Sequence, residues 1–192
     1  EIGALSKGQL IEVDRSGLVA GYVGQTALKT QEKIDEALGG ILFIDEAYAL
    51  AKNSNDDYGQ EAIDTILKAM EDHRDDFIVI VAGYTEPMKK FINSNPGLRS
   101  RFNKYINFPD YSADELVQIF RSMCEEYQYK LTGSAEKIMA KKLHYMEAHK
   151  DENFANARDV RNMFEKVITN QASRLAENPS GNIMEIIAKD FD

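Results

Sequence analysis

Four short apolar runs limit what this chain can fold into: Leu10-Ile11-Glu12-Val13, Ile41-Leu42-Phe43-Ile44, Phe77-Ile78-Val79-Ile80-Val81-Ala82 and Tyr105-Ile106-Asn107-Phe108. Each is rich in β-branched or aromatic residues, and helical patterns separate them. Continuous apolar strands alternating with helices predict an α/β domain whose parallel sheet has helices on both faces. Ile63, Ile66, Leu67 and Met70 mark one helical stripe, and Met88, Phe91 and Ile92 a shorter one. After Pro109 the pattern changes. Ser112 and Glu115 have the spacing of a capping box, and Leu116, Ile119, Phe120, Met123, Cys124 and Tyr127 then fall on one helical face. Ala135, Met139, Leu143 and Met146 predict a second helix, and Val160, Met163, Phe164, Val167, Ile168 and Leu175 a third that ends near Asn178-Pro179. The expected division is an α/β core over residues 1–110 and a small all-α domain over 111–192.

Composition narrows the function. Over 192 residues, 43% hydrophobic and 29% charged is a globular balance. The formal charge of -9 speaks against a general nucleic-acid binder, which needs clustered Lys and Arg. The single cysteine, Cys124, allows no internal disulfide and reads as a buried core thiol. The apolar runs are too short to span a membrane, and no charged-then-apolar leader opens the sequence. The expectation is a cytoplasmic protein with neither membrane nor nucleic acid as partner.

Four segments could carry chemistry. The run Ile41–Ile44 delivers Asp45 and Glu46 to the carboxyl end of a parallel strand, where open α/β sheets bind ligands. There, one carboxylate can serve a magnesium shell and the other can orient a water, although such a pair also opens ordinary polar loops. Gly21-Tyr22-Val23-Gly24 is either a loop tip able to grip an extended chain or a turn whose Tyr22 packs on the core. Arg99 and Arg101, in Asn95-Pro96-Gly97-Leu98-Arg99-Ser100-Arg101-Phe102, could reach a neighbouring subunit's phosphate or simply pair with surface acids. Arg158 opens a predicted helix where the helix dipole favours anions, which suits a cation serving something outside the helix. His73, His144 and His149 show no metal-binding spacing and read as solvated or structural.

Taken in order, these segments resemble an AAA+ ATPase, and within that superfamily the CbxX/CfxQ group of red-type Rubisco activases and stage V sporulation protein K. The likeness rests on Leu18 to Thr26, on Ile41 to Leu50 (ILFIDEAYAL), on Val81 to Tyr84 (VAGY), on Asn95 to Phe102 (NPGLRSRF) and on Asn156 to Phe164 (NARDVRNMF). It implies ATP and Mg as cofactors, with Asp45 and Glu46 as the Walker B acids. Asp45 would serve the second shell of the magnesium, and Glu46 would be the catalytic base. It also implies Tyr22, Val23 and Gly24 as the pore loop that engages a protein substrate. Arg101 or Arg99 would be the finger acting in the adjacent subunit of a homo-hexamer, Arg101 being preferred. Arg158 would be the sensor 2 arginine. At sensor 1, where many relatives carry Asn, this chain has Tyr84-Thr85.

One expected segment is missing. A phosphate loop needs Gly-x-x-x-x-Gly-Lys followed by Ser or Thr, and none of the 12 glycines here precedes a lysine. The resemblance puts that loop and its strand just before residue 1, makes Glu1 to Gly8 the tail of the following helix, and sets the missing strand between Phe77–Ala82 and Lys104–Phe108. The expectations are a chain that alone binds ATP weakly or not at all, and two bordering strands that pair with each other or with another chain. A DNA motor shares the Arg-x-Arg-Phe turn and the lid arginine, but the net charge and the Tyr22-Val23-Gly24 loop favour a protein remodeller; a non-catalytic assembly module is the other reading.

Overall fold

The computed structural model describes residues 5–22, 24–51, 57–151, 154–179 and 181–192. The chain divides into two compact units, Glu1–Ile106 and Asn107–Asp192.

In the first unit β1 (Leu10–Val13), β2 (Ile41–Ile44) and β3 (Ile78–Val81) form a parallel sheet in that order. Leu10 lies opposite Ile41, and Ile41 opposite Ile78. This register puts Ile11, Val13, Leu42, Ile44, Val79 and Val81 on one face, because side chains alternate along a strand. That face holds the core. Leu42 and Ile44 are fully buried there, each contributing about 2 kcal/mol by removal from water. The unit's helices are α1 (Arg15–Leu18), α2 (Gln25–Ala37), α3 (Asp57–Asp72), α4 (Thr85–Ser94) and α5 (Pro96–Arg101). α2 buries Thr26, Thr30, Ile34 and Ala37 at helical spacing, and Ala62, Ile63, Ile66 and Leu67 of α3 join the same core.

The two faces of the sheet are covered unequally. Leu10, Ile41, Phe43, Ile78 and Ile80 share the opposite face and lie outside that core, with Ile78 and Ile80 still 43% and 41% exposed. The fourth expected strand does not form. Residues 103–111 carry no regular structure, and Ile106 and Phe108 are 82% and 87% exposed. Hence β3 and 104–108 do not pair directly, and the outer edge of β3 has no strand beside it among the described residues. A strand needs a ladder for its N–H and C=O groups, and without a neighbouring edge a short apolar run stays irregular. The described part of the expected helical tail, residues 5–8, is a bend. The Lys7 and Gly8 amides both donate to the Gly39 carbonyl, and Gly8 takes φ +77.

The second unit is built on α6 (Ala113–Glu126), α7 (Gly133–Ala148) and α8 (Ala157–Glu177). Ser112 forms the capping box of α6: its amide donates to Glu115 Oε2 at 2.8 Å and its Oγ accepts from the Glu115 amide at 3.4 Å. The Ser112 amide and hydroxyl hold the Glu115 carboxyl below its ordinary value. Phe120 is fully buried, with Phe164 edge-on at 5.5 Å and Phe191 at 5.8 Å. A two-residue parallel pair, β4 (Lys130–Leu131) with β5 (Glu185–Ile186), is an element too short for its sequence to announce. Gln171 secures it from α8, its amide donating to the Ile183 and Glu185 carbonyls. Asp190 is buried at 1% exposure and fully engaged: Arg174 Nε donates at 2.6 Å, Arg174 Nη2 at 3.0 Å and the Ile187 amide at 2.8 Å. Burial pushes the Cys124 thiol up to about 11.

Candidate functional site at the carboxyl ends of the strands

Asp45 and Glu46 leave β2 at its carboxyl end. The Asp45 amide donates to the Val13 carbonyl at 2.9 Å, carrying the β1–β2 ladder one residue further. The Glu46 amide donates to Asp45 Oδ1 at 2.9 Å. Glu46 takes φ +47, a conformation that costs a non-glycine residue ~1–3 kcal/mol and is held only where surroundings enforce it. The enforcing contacts lie on either side. The Ala47 amide donates to Ala82 at 3.1 Å, and Ala47 and Leu50, in the short 3-10 turn Ala47–Ala51, are buried. Both carboxylates stay exposed.

Tyr84 and Thr85 stand at the neighbouring strand end, where β3 passes into α4, and both are exposed. Between the two strand ends sits Tyr48, half-buried against the core. Burial first, then the neighbouring Glu46 carboxylate, with Tyr84 and Asp45 adding, raises its phenol above the ordinary value. Tyr48 escaped the sequence reading, since a tyrosine in a run such as AYAL resembles ordinary core. The usable signal was an aromatic hydroxyl two residues beyond a carboxylate at a strand end.

The glycine-bounded loop precedes α2. Lys29 Nζ donates to the carbonyls of Ser16 and Val19, and the Ala20 amide donates to Thr26 Oγ1, so the chain entering the loop is tied to α2. Tyr22 is 73% exposed and does not pack on the core. Gly24 caps α2 at φ +78, which glycine adopts freely. Val23 lies outside the described residues.

The two candidate finger arginines differ. Asn95 caps α5, accepting from the Gly97 amide at 2.7 Å, so the arginines follow on one short helix. Arg99 is exposed and its side chain has no partner among the described residues. Arg101 is 31% exposed and its Nη2 contacts Glu71 at 3.3 Å. Arg158 lies in the other unit, exposed in the first turn of α8, with no ion pair among the described residues. The structure therefore gathers Asp45, Glu46, Tyr84 and Thr85 at one sheet end, Tyr22 and Gly24 on a separate loop, and Arg158 on the helical unit.

Among the described residues no cluster of three or more His, Cys, Asp or Glu side chains could hold a metal ion. A magnesium ion at Asp45 and Glu46 would thus need oxygens from elsewhere, which suits an ion carried in on nucleotide phosphates. The described residues also include no helix long and apolar enough to cross a membrane.

Comparison with known proteins matches this architecture. The model of the ATPase family associated with various cellular activities (AAA) matches residues 1–110, and that of the AAA lid domain residues 112–192. The chain is 48% identical to the CfxQ homolog of Trieres chinensis, covering 93% of this chain and 61% of that protein. It is 46% identical to the chloroplastic ribulose bisphosphate carboxylase/oxygenase activase of Cyanidioschyzon merolae (93% and 60%) and 48% identical to stage V sporulation protein K of Bacillus subtilis (91% and 55%). It thus spans about six-tenths of the length of these curated relatives. The FIGL-1 AAA domain in complex with ADP has a similar fold, with TM-score 0.64 at 13% identity over 94% of this chain and 60% of that one. So does the Thermotoga maritima RuvB branch migration motor, with TM-score 0.63 at 16% identity over 95% and 51%. The chain belongs to the AAA ATPase family, carrying its core and its lid, with CfxQ, CbbX, Rubisco activase and stage V sporulation proteins among its relatives.

Proposed function

We propose that this chain is the motor module of an ATP-driven protein remodeller, and that its 192 residues alone hold Mg-ATP weakly or not at all. The observation that carries this reading is the exposed Asp45–Glu46 pair at the carboxyl end of β2, next to Tyr84 and Thr85 at the end of β3. In this reading Asp45 serves the magnesium shell, Glu46 takes the proton of the attacking water, and Tyr84 or Thr85 orients that water. Arg158 reaches the nucleotide of its own subunit. Arg101, or failing it Arg99, reaches that of the neighbour in a homo-hexamer. Tyr22 and Gly24, with Val23 between them, grip a protein substrate, and the exposed ring of Tyr22 supports that role.

Weak binding follows from the residues present. The chain has Walker B acids and no Gly-x-x-x-x-Gly-Lys to cradle phosphates. The outer edge of β3, which has no strand beside it among the described residues, and the half-exposed Ile78 and Ile80 fit a further parallel strand followed by a helix. A Walker A segment has that form.

The test is ATP turnover by this chain beside a polypeptide extended N-terminally through a Walker A loop, each with a Glu46→Gln control. Turnover by the extended polypeptide alone, abolished by Glu46→Gln, is the expected result. No turnover by either would leave the non-catalytic assembly module as the better reading.

A further inference from the structure

We propose that Arg15 is a positioning residue for hydrolysis: its guanidinium clamps the turn after β2 and so holds Glu46 where it meets the attacking water. The inference rests on the reading of Glu46 as the base. A base is effective only near one geometry, and Glu46 stands exposed on a backbone at φ +47 that its surroundings must enforce. Two bonds from residues at and just beyond the end of β1 enforce it, one on each side. Before Glu46, the Val13 carbonyl accepts from the Asp45 amide at 2.9 Å. After it, Arg15 Nη1 donates to the Ala49 carbonyl at 3.0 Å, and the Ala49 amide closes back onto the Glu46 carbonyl at 2.8 Å. Residues 13 and 15 thus grip residues 45 and 49, and Glu46 lies between the two grips.

Arg15 is itself anchored. It opens α1, whose cap Asp14 accepts at Oδ1 from the Gly17 amide at 3.0 Å, and the Val19 amide donates to the Arg15 carbonyl at 2.9 Å. Lys29 of α2 holds the next residue, donating to the Ser16 carbonyl at 2.6 Å. α3 backs the clamp from the other side. A Cβ added at Gly59 would overlap the Leu50 carbonyl oxygen and stand 3.0 Å from Arg15 Nη1, so helix, turn and guanidinium are in close contact. An arginine that only decorated the surface would send its head into water. This one is half-buried and reaches a backbone carbonyl 34 residues away.

The experiment is steady-state ATP hydrolysis by the full-length protein carrying Arg15→Gln, Arg15→Lys or Glu46→Gln, with thermal melting and amide hydrogen exchange at Ala49 for each. In Arg15→Gln, kcat should fall about ten-fold, KM for Mg-ATP should stay within about two-fold, and the Ala49 amide should exchange faster. Arg15→Lys keeps a cationic donor without the planar fork, so it should lie between wild type and Arg15→Gln in kcat and in exchange. Wild-type kcat in Arg15→Gln, unchanged exchange at Ala49, no difference between the Lys and Gln variants, or a loss confined to KM or Tm overturns the proposal. If Glu46→Gln itself leaves kcat unchanged, the reading of Glu46 as the base fails first, and the role of Arg15 in hydrolysis fails with it.

Discussion

In the helical unit the buried Asp190 carboxylate and the rings of Phe120, Phe164 and Phe191 all find partners within the same unit. In the α/β unit Ile78 and Ile80 stay 43% and 41% exposed, and the outer edge of β3 has no strand beside it among the described residues. Both units come from sequence with ordinary apolar patterning. They differ in whether that patterning has something to bury against. The exposed carboxylates stand at the end of the strand next to the open edge, where an added strand would bring its own loop to the same end of the sheet.

The contrast can be broken or sharpened by substitution. The largest effect is expected where the helical unit is most closed. Arg174→Ala leaves a buried carboxylate without its cation and should destabilise that unit by about 3–5 kcal/mol in denaturant titration. On the covered face of the sheet, Leu42→Ala should cost about 2–5 kcal/mol. On the other face Ile80→Thr should shift stability by less than about 1 kcal/mol in the 192-residue chain. Equal losses from Leu42→Ala and Ile80→Thr would mean the two faces are not different after all. Ile78 and Ile80 flank an unprotected edge of high β-propensity, so the chain should self-associate with rising concentration in light scattering, and Ile80→Lys should suppress this.

An effect confined to high pH concerns Cys124. Its thiol titrates near 11 in the folded chain against an ordinary 9.0. An acid whose pKa is raised by folding contributes stability below the unfolded value, and that contribution is lost as pH climbs through the folded one. Thermal melts should therefore show a loss between about pH 9 and 11 that is missing from Cys124→Ala. The native thiol should react slowly with a disulfide reagent at pH 8.

Much of this organisation is written in the sequence, unevenly. Ile41–Ile44 announces a buried strand because all its residues are apolar, and the helices around it announce themselves by period. The same property hides the unequal covering of the sheet. Ile78-Val79-Ile80-Val81 is apolar on both sides, so alternation cannot say which side meets a helix. Tyr105–Phe108 has strand composition, yet a strand exists only beside another, and that condition lies outside the four residues. Asp45 and Glu46 are legible from their place after a strand. The backbone of Glu46 at φ +47 and the approach of the Tyr48 ring to Gly83 follow from the turn beyond it, which no spacing rule reports. Arg158 is legible as an odd charge at a helix start, whereas the different settings of Arg99 and Arg101 depend on Glu71, far away in sequence.

The most direct test is amide hydrogen exchange along β3. The amides of Ile78 and Ala82 donate to Gly40, just before β2, and to Ile44 at its end, and strand alternation sends those of Val79 and Val81 toward the open edge. Val79 and Val81 should exchange rapidly in the 192-residue chain while Ile78 and Ile80 are protected. All four should be protected once a Walker A strand is joined N-terminally. Protection of Val79 and Val81 in the 192-residue chain alone, or fast exchange that persists in the extended polypeptide, would contradict the account.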